Sequence, residues 1–265
     1  MNANEIHARF LDIARPISPE LAQAIASIGP IELIADRSSP FADRLCRAIA
    51  GQQLSVKAAR SIWNRVVSSD NGSLVEHLAA VAPEELRACG LSAAKARAVR
   101  EVARASLDGL LDTNELSELH PAERSKRLTA IWGVGQWTAD MMGIFYFGDR
   151  DIWPEGDVTA RKTLTRLTSP RRKTIRTAAQ FAPNRSLLAL YMWQQADNIP
   201  TRQFFGIHIP KGMDDEPIGD AFLNRSIFSD CASGANMGLG QRCKNIFSDK
   251  LFTGETNRIN NKSVF

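Results

Sequence analysis

Asp157 closes the short run Asp151-Ile152-Trp153-Pro154-Glu155-Gly156-Asp157 and opens the pattern Val158-Thr159-Ala160-Arg161-Lys162. A carboxylate in that position has two readings. It caps the following helix by accepting from its first N–H groups, or it does chemistry, since a lone carboxylate stabilises positive charge developing beside it or activates a water. The residue types leave both open, with Asp151 and Glu155 as weaker competitors that read as solvated loop acids. Upstream, Trp132-Gly133-Val134-Gly135 joins two helical patterns. Its glycines admit positive φ and remove side chains, so backbone N–H groups at Gly135 and the following residues can point outward at the positive end of the second helix, which is how a phosphate is bound. The plain alternative is an αα turn closed by glycine.

Other chemistries find less support. His7, His77, His120 and His208 are scattered outside both motifs and read as surface or loop residues. Cys46, Cys89, Cys231 and Cys243 contain no C-x-x-C pair, and the first two sit on apolar helical faces, which argues against zinc, an iron–sulfur cluster and a disulfide framework. No metal site is expected. The 265 residues hold 33 Lys+Arg against 29 Asp+Glu and 44% apolar residues, the balance of a globular protein with a real core. No stretch reaches the roughly eighteen apolar residues of a membrane span, and the start MNANEIHARFLDIARPISPE lacks a signal's apolar core. A cytoplasmic protein without membrane attachment is the expectation. The net charge of +4 is compatible with a nucleic-acid partner without requiring one.

The elements that must position these residues read as helices. From Ser18 to Gln195 helix starts and stops recur at short spacing and no segment alternates like a strand. Ser18-Pro19 and Ser39-Pro40 each set a capping hydroxyl before a proline at the first helical position. Phe41, Leu45, Ala48 and Ile49 form one apolar stripe; after Gly51-Gln52-Gln53-Leu54, Ser55 opens a second helix bearing Val56, Ala59, Ile62, Trp63 and Val66. Gly90 stops one helix, Ser92 opens the next and Gly109 ends it. The hairpin's second helix carries Ala139, Met142, Gly143 and Phe147 on its apolar side. After Gln195 the period is lost among Ile-Pro, Ser-Gly-Ala-Asn and Asn-Asn-Lys-Ser segments. Three parts are expected: an N-terminal helical segment over 1–34, a helical domain over 35–196 and a C-terminal extension over 197–265, partly disordered and of unassigned role.

Taken together, Ile131-Trp132-Gly133-Val134-Gly135-Gln136-Trp137-Thr138-Ala139-Asp140 and the run 151–157 resemble the helix-hairpin-helix (HhH-GPD) DNA glycosylases, and most closely their 3-methyladenine DNA glycosylase II, or alkylpurine, branch. Ala48-Ile49-Ala50-Gly51-Gln52-Gln53-Leu54-Ser55, Gly90-Leu91-Ser92-Ala93-Ala94-Lys95-Ala96 and Arg185-Ser186 ahead of Trp193 extend the match over about residues 35–196 in the family's order. Trp132 departs from it, standing where the hairpin usually has proline, and Phe181-Ala182-Pro183-Asn184 replaces a more aromatic stretch.

The resemblance implies an all-α fold of two packed helical subdomains and a monofunctional hydrolase acting on alkylated purines in double-stranded DNA, as a monomer and without a required cofactor. It implies Asp157 as the catalytic carboxylate, Trp137 and Trp193 as walls of the base pocket, and Gln53 and Leu54 as the wedge that fills the gap left by a flipped nucleotide. Gly133, Gly135, Gln136 and Thr138 would bind DNA phosphate, with Lys57, Arg161 and Lys162 adding charge. Hairpin carbonyls around Gly133 would hold a monovalent cation. Bifunctional members carry a Schiff-base lysine where this chain has Trp137. Two other readings stand beside this one: a non-catalytic hairpin module that only clamps DNA, and a glycosylase for another lesion.

Overall fold

The computed structural model describes residues 1–68 and 73–197, and among them every regular element is helical. The extension expected over 197–265 therefore lies, apart from Asp197, outside the described residues. Two helices, α1 (Ala3–Ala14) and α2 (Pro19–Ile28), open the chain. One group follows: α3 (Phe41–Gly51), α4 (Val56–Ser68), α5 (Leu74–Ala80), α6 (Pro83–Ala88) and α7 (Ala93–Leu107), with α7 packed against α3, α5 and α6. Next come α8 (Thr113–Glu118), the hairpin helices α9 (Pro121–Thr129) and α10 (Gln136–Met142), and a π-helical turn over Gly143–Phe147. Finally, α11 (Val158–Leu167), α12 (Thr174–Ala178) and α13 (Arg185–Asp197) form a second group with α2, in which α13 lies along both α11 and α2.

The N-terminal segment is thus built into the second group. Phe10 of α1 packs edge-on against Phe181 at 4.9 Å and against Tyr191 of α13 at 5.7 Å, and the Tyr191 hydroxyl donates to the carbonyl of Gly29 at 2.9 Å. The buried apolar residues from Ile6 to Trp193 form one continuous cluster, which makes the two groups halves of a single body rather than independent units.

Most caps follow the sequence. Ser18 accepts from Leu21 N–H, Ser92 from Lys95 N–H, and Gly90 and Gly109 take φ +106° and +77° after their helices. Ser39 is an exception. Pro40 itself is the N-cap, in an extended conformation and without a capping side chain, so the helix starts one residue later than expected and Ser39 lies outside it. The hairpin's second helix also changes character: it widens into the π-turn at Gly143, where a Cβ would come within 2.6 Å of Ile152 Cδ1 and 2.9 Å of Asp149 Oδ2. A side chain there would have to displace the ends of the Ile152 and Asp149 side chains from the loop that leads to Asp157.

Candidate active site

Asp157 is the N-cap of α11, and it is also the meeting point of two other helices. Its Oδ1 accepts from Ala160 N–H at 2.8 Å, the capping bond, and from the indole Nε1–H of Trp193 at 2.9 Å. Its Oδ2 accepts from the indole Nε1–H of Trp137 at 2.9 Å. The residue is 1% exposed. Capping leaves room for chemistry, because the backbone bond and the Trp193 bond share one oxygen and the other oxygen faces α10. A buried carboxylate held from three directions has one rotamer available, the preorganisation that electrostatic catalysis requires.

The competing acids are committed elsewhere. Asp151 pairs with Arg185, whose Nε–H and Nη2–H groups donate to its two carboxylate oxygens at 2.7 and 3.0 Å, and this holds its carboxyl below the usual aspartate range. Glu155 accepts from Trp153 Nε1–H at 2.6 Å and from the Thr174 hydroxyl at 2.9 Å. Neither is a solvated loop acid, as the sequence suggested. Both fasten the loop that delivers Asp157.

The two tryptophans divide. Trp137 is half-buried beside the exposed residues Gly156 and Gln136, at the boundary where a base wall belongs. Trp193, read from the sequence as the second wall, is 1% exposed, with its ring 5.7 Å from Phe145 at an interplanar angle of 31°. It lies in the core and contributes an N–H to Asp157 rather than an open stacking face.

At the hairpin, Gly133 takes φ +89° and a Cβ there would meet Ala98 Cβ at 2.4 Å, so glycine is required both by conformation and by the packing of the turn on α7. Gly135 takes φ −88°, which any residue adopts. Of the two reasons the sequence offers for glycine here, positive φ applies to Gly133 and the missing side chain to Gly135. Its Cβ would meet nothing within 4 Å, and as the N-cap of α10 it leaves the first-turn amides uncovered by a capping side chain. The Gln136 side chain is engaged along the hairpin, donating to Ser125 Oγ at 2.9 Å and Asp140 Oδ1 at 2.7 Å. Thr138 is 2% exposed and its hydroxyl accepts from Gln52 Nε2–H at 3.0 Å. For these two residues only the backbone N–H remains for a phosphate. Trp132 stands 42% exposed under the Arg97 guanidinium, 4.0 Å from the ring centroid, which gives the turn a rigid flank where proline is usual.

The loop between α3 and α4 puts Gln53 at its exposed tip with φ +60°, a conformation that costs a non-glycine residue about 1 kcal/mol or more. Leu54 beside it is half-buried. The loop is fixed from below. The Lys95 ammonium of α7 donates to the carbonyl of Ala50 at 2.8 Å and to that of Gln52, capping the C-terminus of α3, while burial lowers its pKa to about 8. The Gln52–Thr138 bond ties the same loop to α10, so this loop and the hairpin are one assembly. Arg185-Ser186 gains a role too: Ser186 Oγ–H donates to the Asp149 carbonyl at 2.6 Å and accepts from Ile152 N–H at 3.0 Å, clamping the loop beside the Arg185–Asp151 pair. Sequence matching picked out both Lys95 and Arg185-Ser186 but showed no partner for either.

Residues 46–183 match the HhH-GPD superfamily of base excision DNA repair proteins, slightly more than half of the chain. The chain belongs to that superfamily. Among HhH-GPD relatives, DNA-3-methyladenine glycosylase 1 of Schizosaccharomyces pombe is 36% identical over 168 residues, covering 60% of this chain and 73% of its own. DNA-3-methyladenine glycosylase 2 of Escherichia coli is 27% identical over 158 residues, 56% of this chain and 55% of its own. The solved S. pombe 3-methyladenine DNA glycosylase, in complex with abasic DNA, superposes with a TM-score of 0.60 at 30% identity over 72% of this chain and 95% of that one. A DNA-3-methyladenine glycosidase from Bacillus halodurans gives 0.62 at 30% identity over 72% and 89%. No helix among the described residues is long and apolar enough to cross a membrane.

Proposed function

We propose that this HhH-GPD protein is a monofunctional DNA glycosylase that hydrolyses the N-glycosidic bond of alkylated purines, of the 3-methyladenine type, in double-stranded DNA and leaves an abasic site. The observation that carries the reading is the carboxylate of Asp157, held by Trp137, Trp193 and Ala160 directly behind the hairpin. Cleaving the bond from base to sugar develops positive charge at C1′, and a fixed carboxylate beside that carbon stabilises it or orients the water that attacks it. An alkylated purine is already cationic and departs as a neutral base, so the site needs no general acid.

The nucleotide reaches this carboxylate by leaving the helix stack. The hairpin amides from Gly135 to Thr138 hold the backbone at a phosphate, and Gln53 with Leu54 enters the gap. Since Asp157 is 1% exposed and Trp137 covers Oδ2, entry of the sugar shifts Trp137, whose indole face then lies against the cationic base. The exposed hairpin carbonyls at Trp132 and Gly133 would be the ligands of a monovalent cation, which would neutralise the phosphate held there. A single chain carries all these parts, so the activity requires no second subunit.

The test is incubation with alkylated duplex DNA, read as free base released and as strand state. Free methylated purine with an intact abasic strand, cut only by added alkali and not trapped by borohydride, is the expected result. A borohydride-trapped adduct would show an amine nucleophile such as Lys162, and binding without base release would favour a non-catalytic clamp.

A further inference from the structure

Between Asp157 and Asp197 the chain contains no acidic residue and eight Lys or Arg, twice the net charge of +4 carried by the whole chain. The remainder is therefore net acidic, and the excess positive charge is concentrated in α11, α12 and their connection. Arg185 is committed to Asp151. The other seven, Arg161, Lys162, Arg166, Arg171, Arg172, Lys173 and Arg176, are all exposed.

Part of this charge lines a cleft of about 580 Å³ bounded by α11, the connection through Pro170 and the start of α12. Arg161, Lys162, Arg166, Arg172 and Lys173 are on its walls, and Ile175, 51% exposed, lies among them. One wall is Glu155, two residues before the catalytic aspartate, whose carboxylate is held by Trp153 and Thr174 and whose carbonyl accepts from Arg161 Nη1–H at 3.5 Å. The cleft is therefore continuous with the loop that presents Asp157. Along α11, Arg166 is nine residues from Asp157, about 13 Å of helix at 1.5 Å per residue. That is roughly four nucleotide steps at 3.4 Å each.

We propose that this cleft is a second DNA-binding site, separate from the hairpin, which takes the phosphate–deoxyribose backbone flanking the flipped nucleotide on one side. It rests on the glycosylase reading and extends it. A row of cations alone suits any polyanion, but an isoleucine half exposed in their midst suits a ligand whose anionic groups alternate with apolar rings, and the sugars of a nucleic-acid strand supply those. The hairpin differs in character, presenting backbone amides and the Trp132–Arg97 stack. The hairpin thus fixes the lesion's register, while the cleft contributes most of the salt-dependent affinity.

The test uses the full chain and duplexes carrying a stable abasic analogue, with long flanks or with one flank trimmed at either side. In the double variant Arg172→Gln/Lys173→Gln, log affinity against log salt should be shallower by about one to two units, since each neutralised phosphate contributes about 0.9. Affinity at low salt should fall about tenfold, single-turnover base release at saturating enzyme should stay at the wild-type rate, and the deficit should vanish when one particular flank is trimmed. Ile175→Ser should weaken binding with the slope unchanged. An unchanged slope in the double variant, or an equal deficit whichever flank is removed, overturns the proposal. Wild-type protein that binds with the expected slope but releases no base would sink the glycosylase reading while leaving the cleft standing.

Discussion

Trp193 reaches Asp157 from inside the core: its Nε1–H donates to Oδ1 at 2.9 Å across 36 residues of sequence, from a ring that is 1% exposed. This bond makes α13 a support of the carboxylate proposed to act on the sugar. Trp193→Phe keeps most of the packing against Phe145 and removes only the donor. A hydrogen bond to a charged group contributes about 1.5–3 kcal/mol, so single-turnover base release should fall roughly tenfold to a hundredfold, with abasic-DNA affinity near wild type. If Trp193 were instead a base wall, the substitution would chiefly weaken binding of cationic purines.

Asp157→Asn separates the cap from the chemistry. Asparagine caps as well as aspartate, and its Oδ1 still accepts from Ala160 and Trp193; its amide, however, faces the Trp137 N–H that Oδ2 now accepts. Melting temperature should drop modestly. Base release should fall by roughly a hundredfold or more, because only the charge acts on the developing cation, while DNA binding persists. Retained release would move the catalytic role away from this residue.

What the sequence made legible was local. Ser18, Ser92, Gly90 and Gly109 mark helix ends because caps and stops act within a few residues, and Asp157 announced itself as a cap for the same reason. The unread parts depend on tertiary direction. A helical Trp has the same sequence signature whether its ring lines a pocket or fills the core, so the burial of Trp193 and its bond to Asp157 could not be read. Asp151 and Glu155 looked solvated because their partners Arg185 and Thr174 are 34 and 19 residues away. The sequence offered two reasons for the glycine pair without dividing them: Gly133 has the positive φ, whereas at Gly135, with φ −88°, what matters is the open space beside it.

Asp140 gives a pH prediction. It is 8% exposed on α10, and burial raises its carboxyl to about 6, against an opposing bond from Gln136. The folded carboxyl thus ionises later than the unfolded one at about 3.9. As pH rises from about 4 to about 6 the unfolded state loses its proton first, so stability from this group is lost across that window and stays lost above it. Asp140→Asn, whose Oδ1 can still accept from Gln136, should remove the loss: it should match wild type near pH 4 and exceed it by about 2 kcal/mol above pH 6. Denaturant titrations at the two pH values check this, and a variant less stable than wild type at pH 7 would contradict it.

Lys95 gives the last prediction, because its side chain joins α7 to the underside of the loop between α3 and α4, the proposed wedge. Its ammonium caps the carbonyls of Ala50 and Gln52, and Gln53, held at φ +60° next to them, has no other reason in its own sequence to adopt that conformation. Lys95→Met preserves the apolar stem and leaves both carbonyls without the donor, at a cost of about 1–3 kcal/mol. Because Gln52 also bonds Thr138, the loosened loop should remain attached to the hairpin on one side only. Amide hydrogen exchange over Gly51–Ser55 should therefore quicken selectively, while the amides around Ala160 keep wild-type protection. Excision from duplex DNA should slow about tenfold, whereas an alkylated base in single-stranded DNA, which leaves no hole to fill, should be released nearly as fast as by wild type. Equal slowing on both substrates would show that Lys95 supports the whole site and not the wedge.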